Sequence, residues 1–122
     1  MKTVILDTNF LLIPVQFKVD IFSEIPNILE DEVEFVVPDK VIEELKRLRE
    51  SKGKDSIAAS VALTLLKKRK IRVVKISWPV DRSLLEFDNV IVATNDKVLR
   101  RRLKAKGIRT IYLRSKKYLE VG

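Results

Sequence analysis

Four acidic side chains stand where a folded chain could bring them together. Asp7 ends the apolar run 4–6, Glu44 lies in the helical stretch after the second such run, Asp81 opens the segment after the third, and Asp96 ends the fourth. Carboxylates about 5 Å apart repel by roughly 3 kcal/mol per pair at an effective dielectric of 20, so such a cluster calls for a cation. Donors that are all oxygen select Mg²⁺ or Mn²⁺ over zinc. A divalent ion in an acidic cup suits phosphodiester hydrolysis, because it acidifies water and offsets charge on the transition state. Singly, each acid has a plainer use: Asp96 and Asp81 can cap helices, Asp7 can close a turn, and Glu44 can pair with Lys40.

The rest of the composition narrows the chemistry. The chain of 122 residues has no His and no Cys, which excludes Ser/His/Asp and Cys/His nucleophiles, an imidazole base, the usual zinc sites and any disulfide. Its length predicts a single domain over 1–122, and nothing in it reads as a signal peptide or a membrane span. The absence of Cys suits a reducing cytoplasm.

The elements that must position the acids follow from hydrophobic periodicity. Apolar runs at 4–6, 33–37, 71–76, 90–93 and 108–113 read as five buried strands, with helical stretches between them. That alternation predicts an α/β fold: a three-layer α/β/α domain with a central parallel sheet of about five strands. Ligands sit at the carboxyl ends of such strands, which is where the acids fall. Pro26 interrupts the helical pattern over 20–30, and the expectation is two short helices. Over 38–50, Val41, Ile42, Leu45 and Leu48 make one stripe, which puts Glu43 in solvent and Glu44 at a half-buried edge. The helix over 55–70 is apolar nearly all round. Ile57, Val61 and Leu65 form one side, covered either by a neighbouring helix or by a second subunit of a homodimer.

Charge is divided along the chain. Residues 1–50 hold 6 basic and 11 acidic side chains, whereas residues 51–122 hold 19 basic and 6 acidic, for a total of +8. Such a basic half rewards a nucleic-acid partner through phosphate neutralisation and counterion release, or simply keeps the protein soluble. Lys97, Arg100, Arg101 and Lys104 fall on one helical face directly after Asp96, a phosphate-positioning pattern for RNA, with Val98, Leu99 and Leu103 left for the core. Lys67, Lys68, Arg69, Lys70, Arg114, Lys116 and Lys117 are further candidates. Aromatic residues make up 7% and do not interleave with the basic run, so a base-stacking platform is not indicated.

Four motifs in order resemble the PIN-domain nucleases: DTN at 7–9 after an apolar strand, VIEELKRL at 41–48, Asp81 with Leu84 three positions on, and IVATND at 91–96. The resemblance spans essentially the whole chain and is closest in style to small stand-alone archaeal members, VapC-like or rRNA-processing. It implies Asp7, Glu44, Asp81 and Asp96 as metal-binding catalytic acids, with Asn9 and Thr94 in support. It also implies Mg²⁺ or Mn²⁺, an RNA substrate cut to 5′-phosphate and 3′-hydroxyl ends, and, for a toxin-type member, an antitoxin protein. The segment after Asp81 is shorter than in many relatives and carries Asp88, which stands as the alternative to Asp81. Two other readings compete. One is a non-catalytic RNA-binding or ribosome-assembly module with the same fold. The other is a receiver-type phosphoacceptor domain, against which Asn9 and the placement of Glu44 speak.

Overall fold

The computed structural model describes residues 1–77 and 89–122. The chain opens with β1 (Lys2–Leu6), passes through the short helices α1 (Thr8–Leu11) and α2 (Ile13–Gln16), then α3 (Ile21–Leu29), and returns as β2 (Val33–Pro38). It continues through α4 (Asp39–Glu50), α5 (Ser56–Lys68), β3 (Arg72–Val74), β4 (Val90–Ala93), α6 (Lys97–Ala105), β5 (Arg109–Arg114) and β6 (Tyr118–Val121). The strands form one sheet in the order β3-β2-β1-β4-β5-β6. All neighbours are parallel except β5 and β6, which form an antiparallel hairpin.

Alternation along the strands builds a core on each face of the sheet. Val4, Leu6, Val37, Ile91, Ala93 and Ile111 pack against the helices between β1 and β3. Ile5, Val36, Val74 and Val92 point the other way and meet Leu99, Leu103 and Ile108, so α6 covers that side. This is the predicted three-layer arrangement, with β1 to β5 as the parallel strands and β6 added at one edge. The pairing Leu6↔Ala93 aligns the carboxyl ends of the two central strands.

Two local expectations change, and a third stays open. Residues Ile21–Leu29 form one helix despite Pro26, because Ile21, Phe22, Ile25 and Leu29 are buried together and outweigh the hydrogen bond that proline cannot donate. That helix ends at Glu30, whose φ of 52° turns the chain left-handed. Val98 is exposed, so among the described residues the buried stripe of α6 is narrowed to Leu99 and Leu103. The outer side of α5 is likewise uncovered among the described residues: Ala58, Ala59, Ala62 and Leu66 are buried, whereas Ile57 is 72% exposed. No helix of the described residues is long and apolar enough to cross a membrane.

Candidate active site

The position of the cleft is a consequence of topology. From β1 the chain moves to the helices on one face of the sheet, and from β4 it enters α6 on the other. Two adjacent parallel strands whose connections diverge leave a crevice beyond their carboxyl ends. Asp7 follows β1 and Asp96 follows β4, one on each lip of that crevice. The Asp7 N–H donates to the Ala93 carbonyl at 3.0 Å, and the Thr94 N–H donates to the Ile111 carbonyl at 2.9 Å, which extends the sheet just past both strands.

Asp7 is 9% exposed, and a buried carboxylate requires donors. Its Oδ1 accepts from the Thr8 N–H at 2.8 Å as the cap of α1, and its Oδ2 accepts from the Thr94 hydroxyl at 2.6 Å. The same hydroxyl oxygen accepts from the Asp96 N–H at 3.1 Å. Asp96 in turn caps α6, its Oδ1 accepting from the N–H groups of Val98 and Leu99 at 2.9 and 3.1 Å. The capping role and the place at the cleft therefore coexist in one side chain. Asn9 Oδ1 accepts from the Asn95 N–H at 3.1 Å, and Asn95 Oδ1 accepts from the Leu113 N–H at 2.9 Å. The first turn of α1, the loop after β4 and the end of β5 are thereby tied together at the rim.

Asp7, Asn9, Glu44 and Asp96 line this one cleft, together with Thr8 and Lys40. Glu44 is exposed, not half-buried as its place on the helical wheel suggests. The reason is that α4 buries Val41 and Leu45 in the core while Glu44 faces the crevice, where no element of the described residues covers it. Glu43 is also exposed but does not line the cleft. No ion pair joins Glu44 to Lys40 among the described residues. Asp81 and its alternative Asp88 lie outside the described residues. Among the described residues, no three acidic side chains stand close enough together to hold a metal ion.

The donor set nonetheless suits a hard divalent cation: among the described residues it offers carboxylate, amide and hydroxyl oxygens, with no imidazole or thiolate. Two further residues were not foreseen. Asn95 depends for its role on β5 lying beside β4, which only the sheet order reveals. Thr8 is buried in the wall of the cleft, and its Oγ1 has no hydrogen-bond partner among the described residues. Its place beside Asp7 in the DTN motif is the signal that could have marked it.

Lys97, Arg100, Arg101 and Lys104 line one groove along α6, as their spacing predicts. The helix begins at Asp96, so the groove starts beside the acid cleft.

Comparison with known sequences and structures places the chain in a family. Residues 4–116 match a sequence family described as a PIN like domain. The chain belongs to that family. Ribonuclease VapC4 of Methanocaldococcus jannaschii is 35% identical to this PIN-like chain over 128 residues, covering 99% of it and 97% of the relative. Ribonuclease VapC9 of Archaeoglobus fulgidus is 32% identical over 120 residues, covering 95% and 86%. The solved structure of the PIN domain endonuclease Utp24 superposes with a TM-score of 0.77 at 25% identity, over 98% of the PIN-like chain and 90% of the other. A domain of a functionally unknown protein from Methanocaldococcus jannaschii shares the fold at a TM-score of 0.64 and 18% identity.

Proposed function

We propose that this chain is a metal-dependent endoribonuclease that hydrolyses RNA phosphodiester bonds in the cleft between β1 and β4. The observation that carries the reading is the Thr94 hydroxyl shared between Asp7 and the Asp96 backbone at the crevice of the sheet. Two relatives that match nearly the whole chain are named ribonucleases, and one of the solved neighbours is named an endonuclease.

Asp7, Glu44 and Asp96 would hold Mg²⁺ or Mn²⁺, with Asp81 or Asp88 completing the set. The bound cation supplies acidification of water and neutralisation of charge at the phosphorus. The chain's own part is to fix Asp7 through Thr8 and Thr94, to hold Asp96 at the helix start, and to keep Lys97, Arg100, Arg101 and Lys104 beside them for the RNA backbone. No histidine is needed, because no side chain has to act as the general base. By the resemblance to VapC-like toxins and rRNA-processing nucleases, the role is that of a toxin restrained by an antitoxin protein or of an RNA-maturation enzyme. The exposed Ile57 and Val61 on α5 are the proposed homodimer surface.

Cleavage of a single-stranded RNA with Mn²⁺, abolished by EDTA and by Asp7→Asn, is the expected result. Equal cleavage by the variant would sink the assignment. RNA binding with no metal-dependent turnover would move the chain to the non-catalytic alternative.

A further inference from the structure

Beyond the acid cleft, the strongest unexplained feature is the groove between α6 and the β5–β6 hairpin. Lys97, Arg100, Arg101 and Lys104 form one wall, and Thr110 and Tyr112 belong to the other. None of the four cations is paired with a carboxylate among the described residues. Four like charges on one face repel one another, and an anion in the groove relieves that repulsion.

Arg100 differs from its neighbours. Its guanidinium lies 3.4 Å above the centre of the Tyr112 ring. The Tyr112 hydroxyl donates to Glu120 Oε2 at 2.9 Å, and Arg114 Nη1 donates to both Glu120 oxygens at 3.1 and 3.2 Å. A ladder of three contacts thus runs from the hairpin to α6. Stacking on a ring restrains the guanidinium but leaves its in-plane N–H groups for an acceptor. The Nε of Arg100 is buried and has no partner among the described residues, so an anion in the groove meets the guanidinium through its Nη groups.

We propose that this groove is a phosphate track for single-stranded RNA, in which Arg100 is the pre-organised clamp and Tyr112 the residue that positions it. The proposal rests on the ribonuclease reading and deepens it. Two observations favour RNA over an acidic protein segment. The track starts at Asp96, the cap of α6 and a wall of the acid cleft, so a strand engaged at one site continues into the other. Among the described residues, the groove also offers no large aliphatic side chain as an anchor for a helix or peptide. The face of Tyr112 that a base would use is taken by Arg100, so the contact reads backbone and tolerates sequence.

The test is fluorescence anisotropy of a labelled single-stranded RNA with the full chain in EDTA, where turnover is stopped, across a salt series. Arg100→Ala is expected to lower the slope of log affinity against log salt by about 0.7, the loss of one phosphate contact on a single strand. Arg100→Lys keeps the charge and the slope but loses the planar fork, so affinity falls on the order of tenfold. Tyr112→Leu reproduces that loss with no change of charge, whereas Tyr112→Phe retains the stack and most of the affinity. In the cleavage assay, Arg100→Lys raises KM and leaves kcat near its original value. Unchanged binding by both Arg100 variants, with cleavage intact, overturns the track and leaves the nuclease reading standing. Binding that follows this pattern in a chain that never cleaves RNA overturns the nuclease reading and keeps the track. A polyglutamate peptide that binds in the same Arg100-dependent way while RNA does not overturns the choice of RNA.

Discussion

The Thr94 hydroxyl donates to Asp7 Oδ2 at 2.6 Å, joining two side chains 87 residues apart in the chain. Its oxygen also receives the Asp96 N–H. Thr94→Val removes both bonds, taking one of several donors from the buried Asp7 carboxylate and the acceptor from the Asp96 N–H, at a cost of about 1–3 kcal/mol. The expected reading is a lower urea midpoint at an unchanged m-value, together with slower cleavage. Asp7→Asn keeps the shape and loses the charge, so its effect falls on turnover, on the order of 10²-fold or more. A Thr94→Val protein with unaltered stability would remove the hydroxyl from any structural role.

Asp96 serves as a helix cap and as a wall of the cleft, and two substitutions separate the roles. Asparagine caps nearly as well as aspartate, whereas alanine costs about 1 kcal/mol. Both variants lose cleavage under the proposed mechanism, and only Asp96→Ala also loses thermal stability. If Asp96→Asn cleaves normally, the side chain is a cap alone.

Glu43 and Glu44 are adjacent and both exposed, yet of the two only Glu44 lines the cleft. Neither change to glutamine is expected to shift stability by more than about 0.5 kcal/mol, since exposed positions rarely do. Cleavage should fall with Glu44→Gln and persist with Glu43→Gln. The opposite pattern would reassign the helix face that serves the site.

Thr8 presents the reverse balance of stability and function. Its hydroxyl is buried without a partner among the described residues, so Thr8→Val gives up no hydrogen bond there. The expected variant has a thermal midpoint equal to or above the original and cleaves RNA more slowly, with Thr8→Ser restoring the rate. A destabilised Thr8→Val protein would show that the hydroxyl is already used by the fold.

At the opposite rim of the sheet, the Lys2 ammonium donates to Asp31 at 3.2 Å and the Glu32 N–H at 2.7 Å. These bonds, the Lys2 one foremost, hold the Asp31 carboxyl below the usual carboxylate range. A lowered folded pKa contributes stability that is complete above the unfolded value and is lost as pH falls through the folded one. Urea midpoints should therefore decline slightly more on acidification for the original chain than for Asp31→Asn, and neutral-pH cleavage should be the same in both. Parallel stability curves would dissociate Asp31 from the acid limb.

Strands β1 to β5 are legible because each is an apolar run bounded by polar residues. Strand β6 is not: Tyr118–Val121 is short, and its turn uses Ser115 and Lys116 at φ of 54° and 58°, where the usual signal is glycine or asparagine. Asp7, Asn9, Thr94 and Asp96 are legible as residues, since strand ends are where polar groups matter. Their bonds to one another are not, because these depend on β4 lying beside β1. The burial of Glu44 is misread for a related reason: a helical wheel shows a helix's own stripe but not which neighbours leave a crevice open beside it. The helix containing Pro26 is misread because local propensity carries no information on how much apolar surface the surrounding elements bury.

The alternation of β1, with Val4 and Leu6 toward one core and Ile5 toward the other, has a consequence for inheritance. A slip of one residue would exchange the two faces and is opposed by both cores, so strand pairing, not the acids, decides where Asp7 stands. Scaffold and chemistry are thus separable. A descendant could lose all its acids and persist as a silent copy of this frame, and a single altered register would silence a copy that had kept every one of them.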